Sequence, residues 1–207
     1  MVPKIVDAEV RRQEVVQAVF RIIASDGLHR ASLREVADEA GLAVGSVRHY
    51  FASSDELLVY SFASVVDRIV ARLEAALALV EDSEGAEHHN AVLNLLGQLL
   101  PLDEESAVDA CVWMAFRQAA RITPVLAPEA ERSHRSVAAV IGRLMVLLRP
   151  QDVDNPQALV TEAERLLATV DGLCMHALLQ PEWMTAAMCS DVLEAHLQTL
   201  QAASARV

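Results

Sequence analysis

Aromatic side chains are scarce in this 207-residue chain: Phe, Trp and Tyr make up 4% of it, although 53% of the residues are hydrophobic. The core must therefore be filled by Ala, Leu and Val, and Ala and Leu are strong helix formers. Lysine is almost absent, Lys4 standing alone among seventeen basic residues. Cysteine is rare and odd in number, and Cys111, Cys174 and Cys189 show no C-x-x-C spacing. That argues against a disulfide framework and for small core residues in a reducing cytoplasm. Seven Gly and seven Pro fall mainly at segment ends, which suits a helical protein with short loops. No run is both apolar and uncharged for the length a bilayer requires, so no membrane partner is expected. Met1 to Glu14 is too charged to hold the apolar region of a signal peptide. No Ser/His/Asp set, Gly-rich phosphate loop or paired acid motif stands out, and no cofactor is expected.

What is present is the stretch Ser32 to Phe51, SLREVADEAGLAVGSVRHYF. Ser32 and Glu35 have the S-x-x-E spacing of a capping box, which opens a helix. Leu33, Val36, Ala37 and Ala40 give that helix a buried face. Gly41 stands where a helix stops in the left-handed conformation that only glycine takes without a Cβ penalty. A second short helix follows from Val44, with Val47 and Phe51 pointing inward and Gly45, Ser46, Arg48 and His49 outward. Small, polar and cationic residues on one face of a short helix suit the major groove of DNA. The same spacing also fits a plain αα-corner inside a helical bundle.

The run DGLHRASLREVADEAGLAVGSVRHYFASSDELL resembles the DNA-binding domain of the TetR/AcrR family of bacterial transcriptional regulators. The matching pieces are Gly27, Ser32, Ala37 with Gly41-Leu42, the His49-Tyr50-Phe51 triplet and Glu56-Leu57-Leu58, all in order. VPKIVDAEVRRQEV and the late segment VDGLCMHALLQPEW…VLEAHLQTL are most similar to the BetI-like branch. The resemblance implies a double-stranded DNA operator, a small-molecule effector and a homodimer. It assigns DNA contacts to Ser32, Arg34, Ala43, Val44, Gly45, Ser46, Arg48, His49 and Tyr50, with Arg11 and Arg12 approaching the DNA backbone from the first helix or standing there as two solvated arginines. Three positions depart from the family pattern. Ala43 replaces a capping Ser or Thr, so a backbone N–H must meet the phosphate; Arg48 replaces a frequent Tyr; and Ser54 replaces a frequent Lys.

The net charge of −12 is unusual for a DNA-binding chain, but it is unevenly spread. Residues 1–56 carry seven basic against nine acidic residues, and the remainder ten against twenty. The expected fold is all-α: a three-helix DNA-binding domain over 1–56 and a helical ligand-binding and dimerisation domain over 57–207, about nine helices in all. The fourth helix is apolar at helical period from Leu57 to Val80 and is expected to be the only one that crosses both parts. Helix five is expected from about His88, after a polar loop over residues 81–87. Helices eight and nine present the faces Leu159, Ala163, Leu166, Leu167, Val170, Leu173, Ala177 and Val192, Leu193, Leu197, Leu200. Paired with the same faces of a second chain, these would form a four-helix interface, although they could equally be used within one chain.

A pocket for the effector is read from Trp113, Phe116, Arg117 and Arg121 on helix six with Met145, Cys174, Met175 and Trp183 further on. Arg117 and Arg121 would suit an anion, and a solvated face explains them as well. The alternative function is an all-helical small-molecule-binding or di-metal enzyme. Glu131 and His134 have the E-x-x-H spacing of carboxylate-bridged bundles, but no second such pair is found. His88, His89, His176 and His196 are isolated and are read as ordinary core or surface histidines.

Overall fold

The computed structural model describes residues 8–204, with side chains through Leu200. The expected arm with Pro3 and Lys4, and the start of the first helix at Asp7, lie outside the described residues. Among the described residues there are nine α-helices and no strand. They are α1 (Ala8–Asp26), α2 (Leu33–Glu39), α3 (Val44–Tyr50), α4 (Ser54–Asp82), α5 (Gly85–Gly97), α6 (Glu104–Ala120), α7 (Ala127–Leu148), α8 (Pro156–Leu179) and α9 (Ala186–Ser204). No helix among the described residues is long and apolar enough to cross a membrane.

The helices gather into two compact units. One holds the chain up to Val66 together with Cys111–Ala130; the other holds Asp67–Ala110 together with the chain from Glu131 onward. The boundaries fall inside α4, α6 and α7, so α4 is not the only helix with residues in both units.

In the first unit α1 buries Val15, Val16, Val19, Phe20, Ile22 and Ile23, and α2 and α3 lie against it. Gly27 ends α1 at φ 87, and its N–H donates to the Ile22 and Ile23 carbonyls. Phe62 of α4 stacks on Phe116 of α6, their ring centroids 4.9 Å apart, and both are fully buried. With so few aromatic rings to place, this pair supplies much of the unit's large-volume packing.

In the second unit α4 continues its buried stripe through Ile69, Leu73, Leu77 and Val80. Asp109 of α6 is buried, and Arg68 and Arg72 of α4 meet its two carboxylate oxygens at 3.0 and 2.6 Å. Arg143 of α7 bridges Glu74 and Glu81 of α4, each at 2.8 Å. Helix α5 begins at Gly85, earlier than its polar sequence suggested, because Ala and Glu favour a first helical turn and Glu87 complements its dipole. The faces of α8 and α9 are used largely within the chain: Ala163, Leu166, Val170, Leu173 and Ala177 are buried, as are Leu193, Leu197 and Leu200. Helical period gives the inward side of a helix but not which helix covers it.

His196 of α9 is half-buried, and its Nε2 has no hydrogen-bond partner. Burial, helped by Arg165, holds the imidazole below its usual value of 6.5. The unfolded chain therefore binds this proton more readily than the folded one. The stability this site contributes is complete above that value and falls as the pH drops below it. Urea midpoints taken from about pH 7 to pH 5 will decline less steeply for His196→Phe than for the native chain; parallel declines would assign the dependence to other groups.

Candidate nucleic-acid interface

The turn between α2 and α3 is set by local chemistry. The amide of Glu35 donates to Ser32 Oγ at 3.3 Å, and that hydroxyl donates to the Glu35 carboxylate at 2.9 Å. The expected box is thus half-formed: the Ser32 N–H goes instead to the Arg30 carbonyl at 2.8 Å, leaving the Glu35 side chain to bind the hydroxyl. At the other end of α2, Gly41 takes φ 66. Its N–H donates to the Asp38 carbonyl at 3.2 Å and that of Leu42 to the Ala37 carbonyl at 2.9 Å, the bonding of a Schellman stop.

This stop sends the chain into α3 with Val47 and Phe51 fully buried. Gly45, Ser46, Arg48 and His49 are exposed, and Tyr50 is half-exposed with its ring edge-on to His49 at 5.1 Å. Ala43 is the N-cap of α3, extended at φ −70 and ψ 143, and gives no side-chain bond. The N–H groups of Val44 and Gly45 precede the first intrahelical bond, which Ser46 makes to the Ala43 carbonyl at 2.8 Å. Val44 itself is half-buried, so its contribution to the outer surface is its backbone rather than its side chain.

The arginines of this unit divide sharply. Arg11 pairs with Glu14, Arg21 with Glu39, and Arg30 with Glu35 at 2.6 Å. Arg12 donates to the Tyr50 carbonyl at 3.1 Å and lies 4.0 Å from Glu56. Arg34 and Arg48 are exposed and, among the described residues, form no ion pair. Helix α3 contains no acidic residue at all. Ser54, at the start of α4, is exposed and carries no charge to replace the absent Lys.

Sequence reasoning missed the group behind α3. Tyr60 of α4 donates its hydroxyl to Glu9 of α1 at 2.6 Å, and Gln13 donates to both, at 3.0 and 3.3 Å. The bonds from Tyr60 and Gln13 hold the Glu9 carboxyl below the ordinary glutamate range, and the bond to Glu9 pushes the Tyr60 phenol up. Partners separated by 47 and 51 positions leave no local spacing to detect.

The residues read as an effector pocket fall into two groups. In the first unit Trp113 and Phe116 are buried, Arg117 lies 4.5 Å over the Trp113 ring, and Arg121 is exposed. In the second unit Met145 and Cys174 are core residues, Met175 is exposed, and Trp183 is 75% exposed just beyond α8, where Pro181 has ended the helix. In the E-x-x-H pair, Glu131 is engaged by Arg135 at 3.0 Å and His134 is exposed. Among the described residues no three His, Cys, Asp or Glu side chains come together as a metal site.

The empty cap of α3 generates a stability prediction. Ala43→Thr supplies the missing acceptor at an exposed position and will raise the unfolding free energy by about 1 kcal/mol. Denaturant titration checks it, and a decrease would mean that the hydroxyl cannot reach the free amides.

Two family models match the chain. "Bacterial regulatory proteins, tetR family" covers residues 15–60, and "BetI-type transcriptional repressor, C-terminal" covers residues 88–202. The chain is 33% identical over 199 residues to the HTH-type transcriptional regulator PksA of Bacillus subtilis, covering 96% of this chain and 93% of that protein. A transcriptional regulator from Rhodococcus sp. Rha1 superimposes with a TM-score of 0.78 at 29% identity, over 91% of this chain and 95% of that one. A regulator from Saccharomonospora viridis, solved in complex with choline, has a TM-score of 0.77 at 18% identity, over 92% of this chain and 96% of its own; this likeness is one of fold. The chain thus belongs to the tetR family of bacterial regulatory proteins, with a C-terminal region of the BetI type, and is a ligand-responsive, DNA-binding transcriptional regulator.

Proposed function

We propose that two copies of the chain repress transcription in the cytoplasm by binding a palindromic operator, and that a small-molecule effector releases them. Residues 1–56 are the reading head, and residues 57–207 take up the effector and form the dimer. The observation that carries this reading is Arg48: an exposed cation without an ion pair among the described residues, on a short helix that has no acid. Small residues beside it, Gly45 and Ser46, let the helix approach base edges closely. Arg48 forks onto guanine O6 and N7 or a phosphate, and Ser46, His49 and Tyr50 flank it. The free amides after Ala43, together with Ser32 and Arg34, meet the phosphates, and Arg11 joins them only by exchanging Glu14 for a phosphate. Arg12 has a different task, argued below.

One seven-residue helix makes too few contacts to specify a site. Two heads about 34–36 Å apart read successive major-groove turns. An effector that prefers another setting of α4 alters that spacing and lowers operator affinity, by as much as its own preference for that setting. The dimer is proposed through α8 and α9. Support comes from the apolar side chains left outside there: Val160, Met175, Leu179 and Met188, with Trp183 between the helices. Ala168 and Gly172 lie exposed between Val160 and Met175 and permit close approach of a second helix.

Selection from a random DNA pool tests the reading directly; recovery of a palindrome is expected, and recovery of no sequence would refute it. On the selected duplex Arg48→Gln will weaken binding by about 1–3 kcal/mol. Unchanged affinity across a salt series would remove Arg48 from the contacts. For the dimer, Gly172 has nothing within 4 Å of an added Cβ inside the chain. Gly172→Glu will keep the helical circular dichroism of the native chain but sediment as a monomer. Sedimentation as a dimer would place the interface elsewhere.

A further inference from the structure

We infer that Arg12 is a positioning residue that holds the C-terminal end of the reading helix, and not one of the groups that touch the DNA backbone. This rests on the reading of α3 proposed above. Helix α3 ends at Tyr50, and its last carbonyls have no intrahelical donor. The Arg12 guanidinium donates to the Tyr50 carbonyl at 3.1 Å, from a position 38 residues away in the sequence. A cation at this end of a helix also complements the helix dipole.

The guanidinium is fixed by more than that bond. It lies 5.5 Å from the ring centroid of Phe51 and 5.4 Å from that of Tyr60, within cation–π range of both. The two rings meet edge to face at 5.4 Å. Tyr60 is tied to α1 through Glu9, one turn before Arg12, and Glu9 also accepts from Gln13. On the remaining side stands Glu56, whose other carboxylate oxygen accepts from the Ala52 amide at 2.7 Å just after α3. The clasp thus joins α1, the end of α3 and the start of α4. To reach a phosphate the side chain must abandon a carbonyl, two ring faces and a carboxylate. Among the described residues Arg48 has no ion pair to abandon.

The two roles differ in measurable ways. A phosphate contact contributes to counterion release, so its loss reduces the salt slope of binding by about one, and lysine serves nearly as well. A clasp contributes no released ion, and lysine lacks the planar fork that stacks and donates in one plane. The full-length native chain, Arg12→Gln, Arg12→Lys and, as a control, Arg48→Gln are titrated with the duplex selected by the native chain over a range of salt. Amide hydrogen exchange is followed in the same proteins without DNA.

The expected result is that Arg12→Gln and Arg12→Lys each bind about tenfold more weakly with the native salt slope, whereas Arg48→Gln binds more weakly while its exchange over Val47–Phe51 stays native. Exchange over Val47–Phe51 quickens in both Arg12 variants while α2 is unchanged, which separates a local loosening of α3 from a general loss of stability. A slope lower by about one in Arg12→Gln that Arg12→Lys restores would overturn the inference in favour of a phosphate contact. Native exchange over Val47–Phe51 would overturn it as well. Exchange needs no operator: if the native chain selected no DNA, the reading of α3 would fail while the clasp was still decided.

Discussion

A helix of two turns does not hold itself together in water, because nucleating it fixes more backbone than its few hydrogen bonds return. Helix α3 is that short, and most of the first unit follows from the need to hold it from outside. Val47 and Phe51 take its inner face onto the core that α1 provides. The Schellman stop at Gly41 fixes the direction in which the chain enters it. Arg12 and the rings of Phe51 and Tyr60 fix its far end. With both ends and one face committed to support, the outer face needs no stabilising side chains of its own. That is why Gly45 and Ser46, poor choices for making a helix, can occupy its middle.

The same division of labour resolves the charge. An acidic chain is repelled by DNA at long range, so the few cations that count must be both unoccupied and close. Exposed ion pairs such as Arg21–Glu39 and Arg30–Glu35 add little to stability. Their larger effect is to withdraw arginines from competition. Among the described residues Arg34 and Arg48 form no ion pair and stay exposed. The acid-free sequence of α3 keeps the field at its surface positive without requiring the whole chain to be basic.

What could be read beforehand was what depends on neighbours in sequence. The Ser32 cap, the Gly41 stop, the inward Val47 and Phe51, and the proline-marked ends of α7 and α8 all rest on interactions spanning five residues or fewer. Contacts across dozens of residues were hidden. Nothing in the spacing of Arg11 and Arg12 says that one pairs along its own helix and the other reaches Tyr50. Nothing in the period of α8 distinguishes a core face from a partner's face. The most regular apolar positions went inward, and the less regular set of Val160, Met175 and Leu179 stayed outside. The aromatic and methionine residues expected to gather around a ligand raise a related question. Residue type suggests a pocket, but only packing decides whether Trp183 is enclosed.

Within the second unit, Asp109 constrains how α4 can respond to anything bound nearby. A buried carboxylate costs several kcal/mol unless it is matched, roughly the margin that a domain has to spare. Arg68 and Arg72 stand one turn apart on α4 and each takes one oxygen of that carboxylate. A shift of α4 along α6 would oblige both guanidiniums to re-aim at the same carboxylate. Movement of α4 that unmatches this buried charge is therefore resisted. A ligand acts on such an element by favouring one setting over another, and any setting it favours must keep this carboxylate matched.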